Sequence, residues 1–175
     1  MTDDQYQQAA LDFIDKYNAP VPKPVSCLNL IMRKEFAEAI LRGEKKVEIR
    51  SFSDHYFNRL TDKAVDRWMD EHRDDKDMDE EAFEEFMCST RPVMKIHFYN
   101  YNNSWYLDVE CTKNALIGLT RQNVETLQEE YGFHELDDML ADFEVRERGK
   151  KGEAVMRPLF YYFAIGKVLG TNLRK

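Results

Sequence analysis

The sequence predicts an α+β fold in which a mixed or antiparallel sheet curls into a barrel surrounded by helices. Three observations carry that prediction. Strand-like and helix-like periodicities follow one another in the order strand, helix, strand, helices, hairpin, helices, strand. Residues 93–101 and 104–112 read as a hairpin turned by Asn102 and Asn103, a residue type that tolerates positive φ. The strands are short and separated and include that hairpin, which argues against a doubly wound parallel sheet.

Each element has its own reason. From Asp3 to Tyr17, the apolar residues Ala10, Phe13, Ile14 and Tyr17 recur at helical spacing, and Pro20, Pro22 and Pro24 then stiffen an extended connector. Residues 25–32 read as a buried strand. Lys34 to Leu41 reads as a short helix with Phe36, Ala39 and Ile40 facing inward. Gly43 stands just past its end, where a left-handed residue is wanted. Residues 46–52 alternate, with Val47 and Ile49 on one face and Glu48 and Arg50 on the other. Thr61 is expected to cap a helix carrying Val65, Trp68, Met69 and His72 inward, and Asp79 a second carrying Phe83, Phe86 and Met87. The run DDKDMDEE between them reads as a solvated turn. It lacks the glycine and terminal glutamate spacing of a calcium loop.

In the hairpin, Trp105, Leu107, Val109 and Cys111 share one face, and residues 114–119 are expected to add a short strand. Thr120 caps a helix with Val124, Leu127 and Tyr131, stopped by Gly132, and a further helix carries Leu136, Met139, Leu140 and Phe143. Residues 146–151, RERGKK, read as a basic loop, and residues 158–169 as a long final strand.

Composition narrows the function classes. Of 175 residues, 43% are hydrophobic and 13% aromatic, enough for a packed core, so global disorder is excluded. Three widely spaced cysteines, Cys27, Cys88 and Cys111, give neither a disulfide framework nor a metal-ligand pair. No apolar run is long enough to span a membrane, and the first residues lack the pattern of a secretory signal, so a soluble cytoplasmic chain is expected. The net charge of −8 argues against gripping long nucleic acid through many phosphates. Contact with nucleic acid then has to be local, since the field in a cleft can oppose the net sign. No cofactor is expected: no glycine-rich phosphate loop, zinc spacing or dinucleotide fingerprint is present.

The most informative stretch is Gly43-Glu44-Lys45-Lys46-Val47-Glu48-Ile49-Arg50, which reads G-x-K-x-x-E-x-R. Glu48 and Arg50, two apart on a strand, point to one face, and Lys45 reaches over it from the preceding turn. The plain alternative is a solvated strand face with weak surface ion pairs. In its place after a strand and a short helix, the stretch resembles the signature of ASCH domains, which are similar in fold to the PUA RNA-binding domain. The later hairpin, the helix ending Glu130-Tyr131-Gly132-Phe133 and the closing apolar strand resemble the family's layout. The resemblance covers roughly residues 25–169. It implies residues 1–24 as an N-terminal helix and connector and 25–175 as an ASCH-like domain with a helical insertion at about 54–89.

That resemblance implies binding of RNA or a nucleobase-containing small ligand in a cleft at Gly43, Lys45, Glu48 and Arg50. Tyr99, Tyr101 and Tyr106 are candidates to stack bases, with ordinary barrel packing as the alternative. Arg146, Arg148, Lys150, Lys151 and Arg157 are candidate phosphate contacts, or a solvated loop. A second implication is enzymatic. Some small ASCH proteins hydrolyse the amide of N-acetylated cytidine with the motif lysine, a threonine of the motif and a glutamate at the later helix end. Carried over, these are Lys45, Glu48 in place of the threonine, and Glu129 or Glu130. Among His55, His72, His97 and His134, only His55 follows the motif strand closely. A third reading makes the acidic helices and the N-terminal helix a docking surface.

Overall fold

The computed structural model describes residues 3–87, 90–149 and 155–174. Seven helices and five strands lie among these residues, in two compact units. The first unit comprises Met1–Val25 and Ser53–Pro92, and the second Ser26–Phe52 and Val93–Lys175.

The second unit is built on a five-stranded mixed sheet. Its strands are β1 (Leu28–Ile31), β2 (Val47–Ser51), β3 (Lys95–Tyr99), β4 (Tyr106–Gly118) and β5 (Leu159–Thr171), in the order β1-β3-β4-β5-β2. β1 and β3 run parallel, and every other pairing is antiparallel. Three register shifts between Asp108 and Lys113 bend the long β4–β5 ribbon, as bulges do. The sheet curls into a half-barrel. Arg50 on the edge strand β2 donates from Nη2 to the carbonyl of Ile31 on the opposite edge, β1, at 2.7 Å. The hairpin forms as its sequence predicts, with Asn103 at φ 53 and with Trp105, Leu107, Val109 and Cys111 all buried. Residues 114–119 are not a separate strand. Residues 114–118 continue β4, because bulges absorb the break in alternation, and Leu119 follows its end.

Three helices belong to this unit: α2 (Lys34–Leu41), α6 (Arg121–Tyr131) and α7 (Asp137–Gly149). The last two pack on one sheet face, where Val47, Phe160 and Tyr162 meet Val124, Leu127, Leu140 and Phe143. Thr120 Oγ1 accepts from Asn123 N at 3.1 Å, and Gly132 ends α6 at φ 61, as its place after the helix predicts. α7 runs through Gly149, so Arg146 and Arg148 stand on a helix and not in a loop. Two arginines in the last turn suit its dipole and extend it. In α2, Ala37 and Ile40 are buried, but Phe36 faces outward.

The first unit holds α1 (Asp3–Tyr17), α3 (Asp54–Leu60), α4 (Lys63–His72) and α5 (Glu80–Met87). Phe13 stacks on Phe86 at 4.7 Å and meets Trp68 edge-on at 5.8 Å, with Val65, Met69 and Phe83 around them. α3 is absent from the sequence reading; Ser53 caps it, its hydroxyl accepting from Tyr56 N. α4 is capped by Asp62 and not Thr61, because the charged carboxylate takes both Ala64 N and Lys23 N at 2.9 Å. Thr61 closes α3 instead. Asp79 does cap α5, accepting from Ala82 N. Among the described residues, no helix is long and apolar enough to cross a membrane.

Candidate functional site

The turn after α2 prepares the motif. Gly43 adopts φ 75, and a Cβ there would meet nothing within 4 Å, so backbone conformation alone selects glycine. Glu44 N and Lys45 N then both donate to Ala39 O, at 3.0 and 3.2 Å, which pins the chain as it enters β2. Lys45 Nζ lies 5.5 Å from the centre of the Phe36 ring and 5.9 Å from that of Phe133. This explains Phe36: an outward ring at the helix surface shields a cation and does not fill the core.

Glu48 and Arg50 share a face, opposite Phe163 and Tyr161 of β5. Among the described residues of the unit, Glu48 is the buried charge, 8% exposed. Its Oε1 faces Arg50 Nε at 3.3 Å and its Oε2 faces Lys45 Nζ at 3.5 Å. Among the described residues Oε2 has no hydrogen bond, only that ion pair. The motif is therefore one assembly: a carboxylate between two cations, net positive, with its arginine fixed on the Ile31 carbonyl. Lys45, held by Glu48 and flanked by two rings, supplies a fixed positive charge.

The other candidates are dispersed. Glu130 stands exposed at the end of α6, and among the described residues no ion pair joins it to Lys45. Its charge acts instead on Lys113 and Tyr131. Burial draws the Lys113 amine below its ordinary value, against the opposing pull of Glu130. Burial, and then Glu130, push the Tyr131 hydroxyl up to about 12. Tyr162, whose ring is 6.4 Å from that of Tyr131, is shifted up chiefly by burial. Burial likewise raises the Cys111 thiol to about 11, which leaves it an unreactive core group at neutral pH.

Tyr99 and Tyr106 pair across β3 and β4, and both stack on His97, whose Nδ1 lies 2.5 Å from Asp108 Oδ1. Tyr101 projects from the turn and is 88% exposed. Arg148 lies beside Arg121, Arg157, Glu144 and Glu147, where Arg121 pairs with Glu144 at 2.7 Å and Arg157 with Glu147 at 3.6 Å; this surface is mixed in charge. Lys150 and Lys151 lie outside the described residues. His55 sits on α3 with Nε2 3.4 Å from Arg59 Nη1, His72 Nδ1 meets Trp68 O, and His134 Nδ1 meets Asp137. Among the described residues no three His, Cys, Asp or Glu side chains converge to hold a metal.

Sequence reasoning missed the two phenylalanines around Lys45, the Ile31 anchor of Arg50 and the Lys113 environment. The hydrophobic pattern carried no signal for either ring, because Phe36 fits the i, i+3, i+4 stripe of α2 and so reads as inward. A groove of about 1040 Å³ is lined by Ile31 and does not include the motif side chains. Comparison with protein-family models, curated proteins and solved structures finds no match to this chain.

Proposed function

We propose that the second unit is a PUA-like, ASCH-type module that binds RNA or a nucleobase-containing small ligand beside Gly43, Lys45, Glu48 and Arg50. The observation that carries this reading is the buried Glu48 carboxylate held between Lys45 and Arg50, at 3.5 and 3.3 Å. A base offers donors to a carboxylate and acceptors to a guanidinium on one planar edge, so an acid beside a fork of N–H donors suits it. The curled mixed sheet and the G-x-K-x-x-E-x-R turn agree with the resemblance, and the free thiols Cys27 and Cys111 fit a reducing cytoplasm.

The test is calorimetric titration with cytidine, cytidine monophosphate and a short single-stranded RNA of mixed sequence. Lys45→Ala should weaken binding at least tenfold while the variant keeps its fold by circular dichroism. Unchanged binding by a folded Lys45→Ala would remove the motif from the site. The amidohydrolase alternative is separated by incubating wild type with N-acetylated cytidine. Release of acetate, lost in Lys45→Ala, would make the protein an enzyme.

A further inference from the structure

We infer that the ligand carries a phosphate, and that this phosphate is held in the groove between the β1–α2 junction, the β3–β4 turn and the C-terminal segment. This rests on the nucleobase reading above and deepens it, from nucleoside to nucleotide.

The groove has a volume of about 1040 Å³, ample for a nucleotide. Arg33 and Lys34 enter it from the start of α2, and Arg174 from beyond β5. Three cations from two distant parts of a chain of net charge −8 thus meet in one place. Their pairing is weak. Arg33 reaches Glu35 at 3.8 Å and Lys34 reaches Glu38 at 3.9 Å, across side chains that are largely in water. Among the described residues Arg174 has no acidic partner. All three can therefore turn to an anion with little lost.

The walls are preformed. Asn172 Oδ1 accepts from Tyr106 N at 2.9 Å, and its Nδ2 donates to Ser104 O at 3.2 Å, clamping the C-terminal segment to the turn. Asn100 accepts from Ser104 N at 2.9 Å and donates to Ser104 Oγ at 2.7 Å. With these amides spent on the frame, what the groove still offers a ligand is a net positive set of side chains, Arg33, Lys34 and Arg174 against the carboxylates of Glu35 and Glu38, together with the exposed ring of Tyr101. That pairing suits a phosphate joined to a planar base. Ile31 also lines the groove, and its carbonyl is held by Arg50, so motif and groove meet at one residue.

The experiment titrates cytidine, cytidine monophosphate and short single-stranded RNA into wild type, Arg33→Gln/Arg174→Gln, Tyr101→Ala and Lys45→Ala. The double variant should lose tenfold or more in affinity for the two phosphate-bearing probes and nothing for cytidine. Its RNA salt slope should fall by about 0.7 for each phosphate contact removed. Tyr101→Ala should weaken all three. Tight binding of the monophosphate would identify a free nucleotide as the ligand, and binding of RNA alone a strand. Wild-type affinity of the groove variants for every probe, with Lys45→Ala still impaired, would overturn the groove and leave the motif standing. Loss in the groove variants with Lys45→Ala unaffected would do the reverse. Binding of none of the probes by wild type would sink both.

Discussion

Glu48→Leu is the sharpest perturbation of the motif, because it removes the one anion between two cations and leaves a side chain of similar volume. Removing one partner of a buried ion pair costs about 3–5 kcal/mol, most of it the penalty of a stranded charge. Here the Lys45 and Arg50 side chains keep 14% and 22% of their exposure, so water recovers part of that loss. The expected cost is at the low end, about 3 kcal/mol. With a urea slope of about 2 kcal/mol per molar, the unfolding midpoint should fall by about 1.5 M. Trp68 and Trp105 lie in different units, so fluorescence in a Trp68→Phe background reports the unit that contains the motif. Replacing the whole triad with Met, Leu and Met should restore much of the stability, since an apolar cluster strands no charge. A loss below about 0.5 kcal/mol, the level of an exposed pair, would refute the claim that the three groups act as one buried assembly.

Three further outcomes are expected. Gly43→Ala should cost about 1–2 kcal/mol in thermal unfolding, from its φ of 75 alone, because the new methyl meets nothing within 4 Å. Gly166→Ala places its Cβ 2.8 Å from Thr112 Cγ2, so it should cost about 1–3 kcal/mol and be relieved by Thr112→Ser, which removes that methyl. The third concerns pH. Burial raises Cys111 from 9.0 to about 11, and burial with Glu130 raises Tyr131 from 10.0 to about 12. Groups raised in the folded state contribute stability that is fully present below their unfolded values and is lost as pH rises through the folded ones. Stability followed by denaturant titration should therefore hold to about pH 9 and then decline, and Cys111→Ala should lose the earliest part of that decline.

What could be read from the sequence divides along physical lines. Periodicity located the strands and most helices, since burial of one face leaves a pattern in the chain: the hairpin, α2 and the caps at Thr120 and Asp79 stand where expected. Errors fell where two local preferences compete. Asp62 and Thr61 are both cap residues, and the charge of the first won. RERGKK contains a glycine, yet its arginines favour a helix end, and α7 runs on. The grouping of Lys45, Glu48 and Arg50 was legible, because a two-residue strand spacing and a short turn bring them together. What lay around them was not. Phe133 comes more than eighty residues later, and the Ile31 carbonyl is backbone, which leaves no mark in a sequence. The groove is assembled from β1–α2, the β3–β4 turn and the C-terminal segment, so no single stretch announces it.

The Arg50–Ile31 bond also bears on how the protein keeps to itself in a crowded solution. β1 is an edge strand, and the Ile31 carbonyl is an acceptor that a passing strand would need in order to add itself to the sheet. Arg50 occupies it, and a guanidinium at that position repels an extended apolar segment as well as blocking it. Beyond Ile165, whose N donates to Lys46 O, β5 pairs among the described residues with β4 alone, and this stretch carries Val168 and Leu169 in the open, with Lys167 as the charged guard between two glycines. The sheet thus resists templated association by different means at its two margins: a side chain tethered across the seam at one, and a single lysine at the other. Loosening the tether would be felt first as a tendency to aggregate, before any loss of the fold itself.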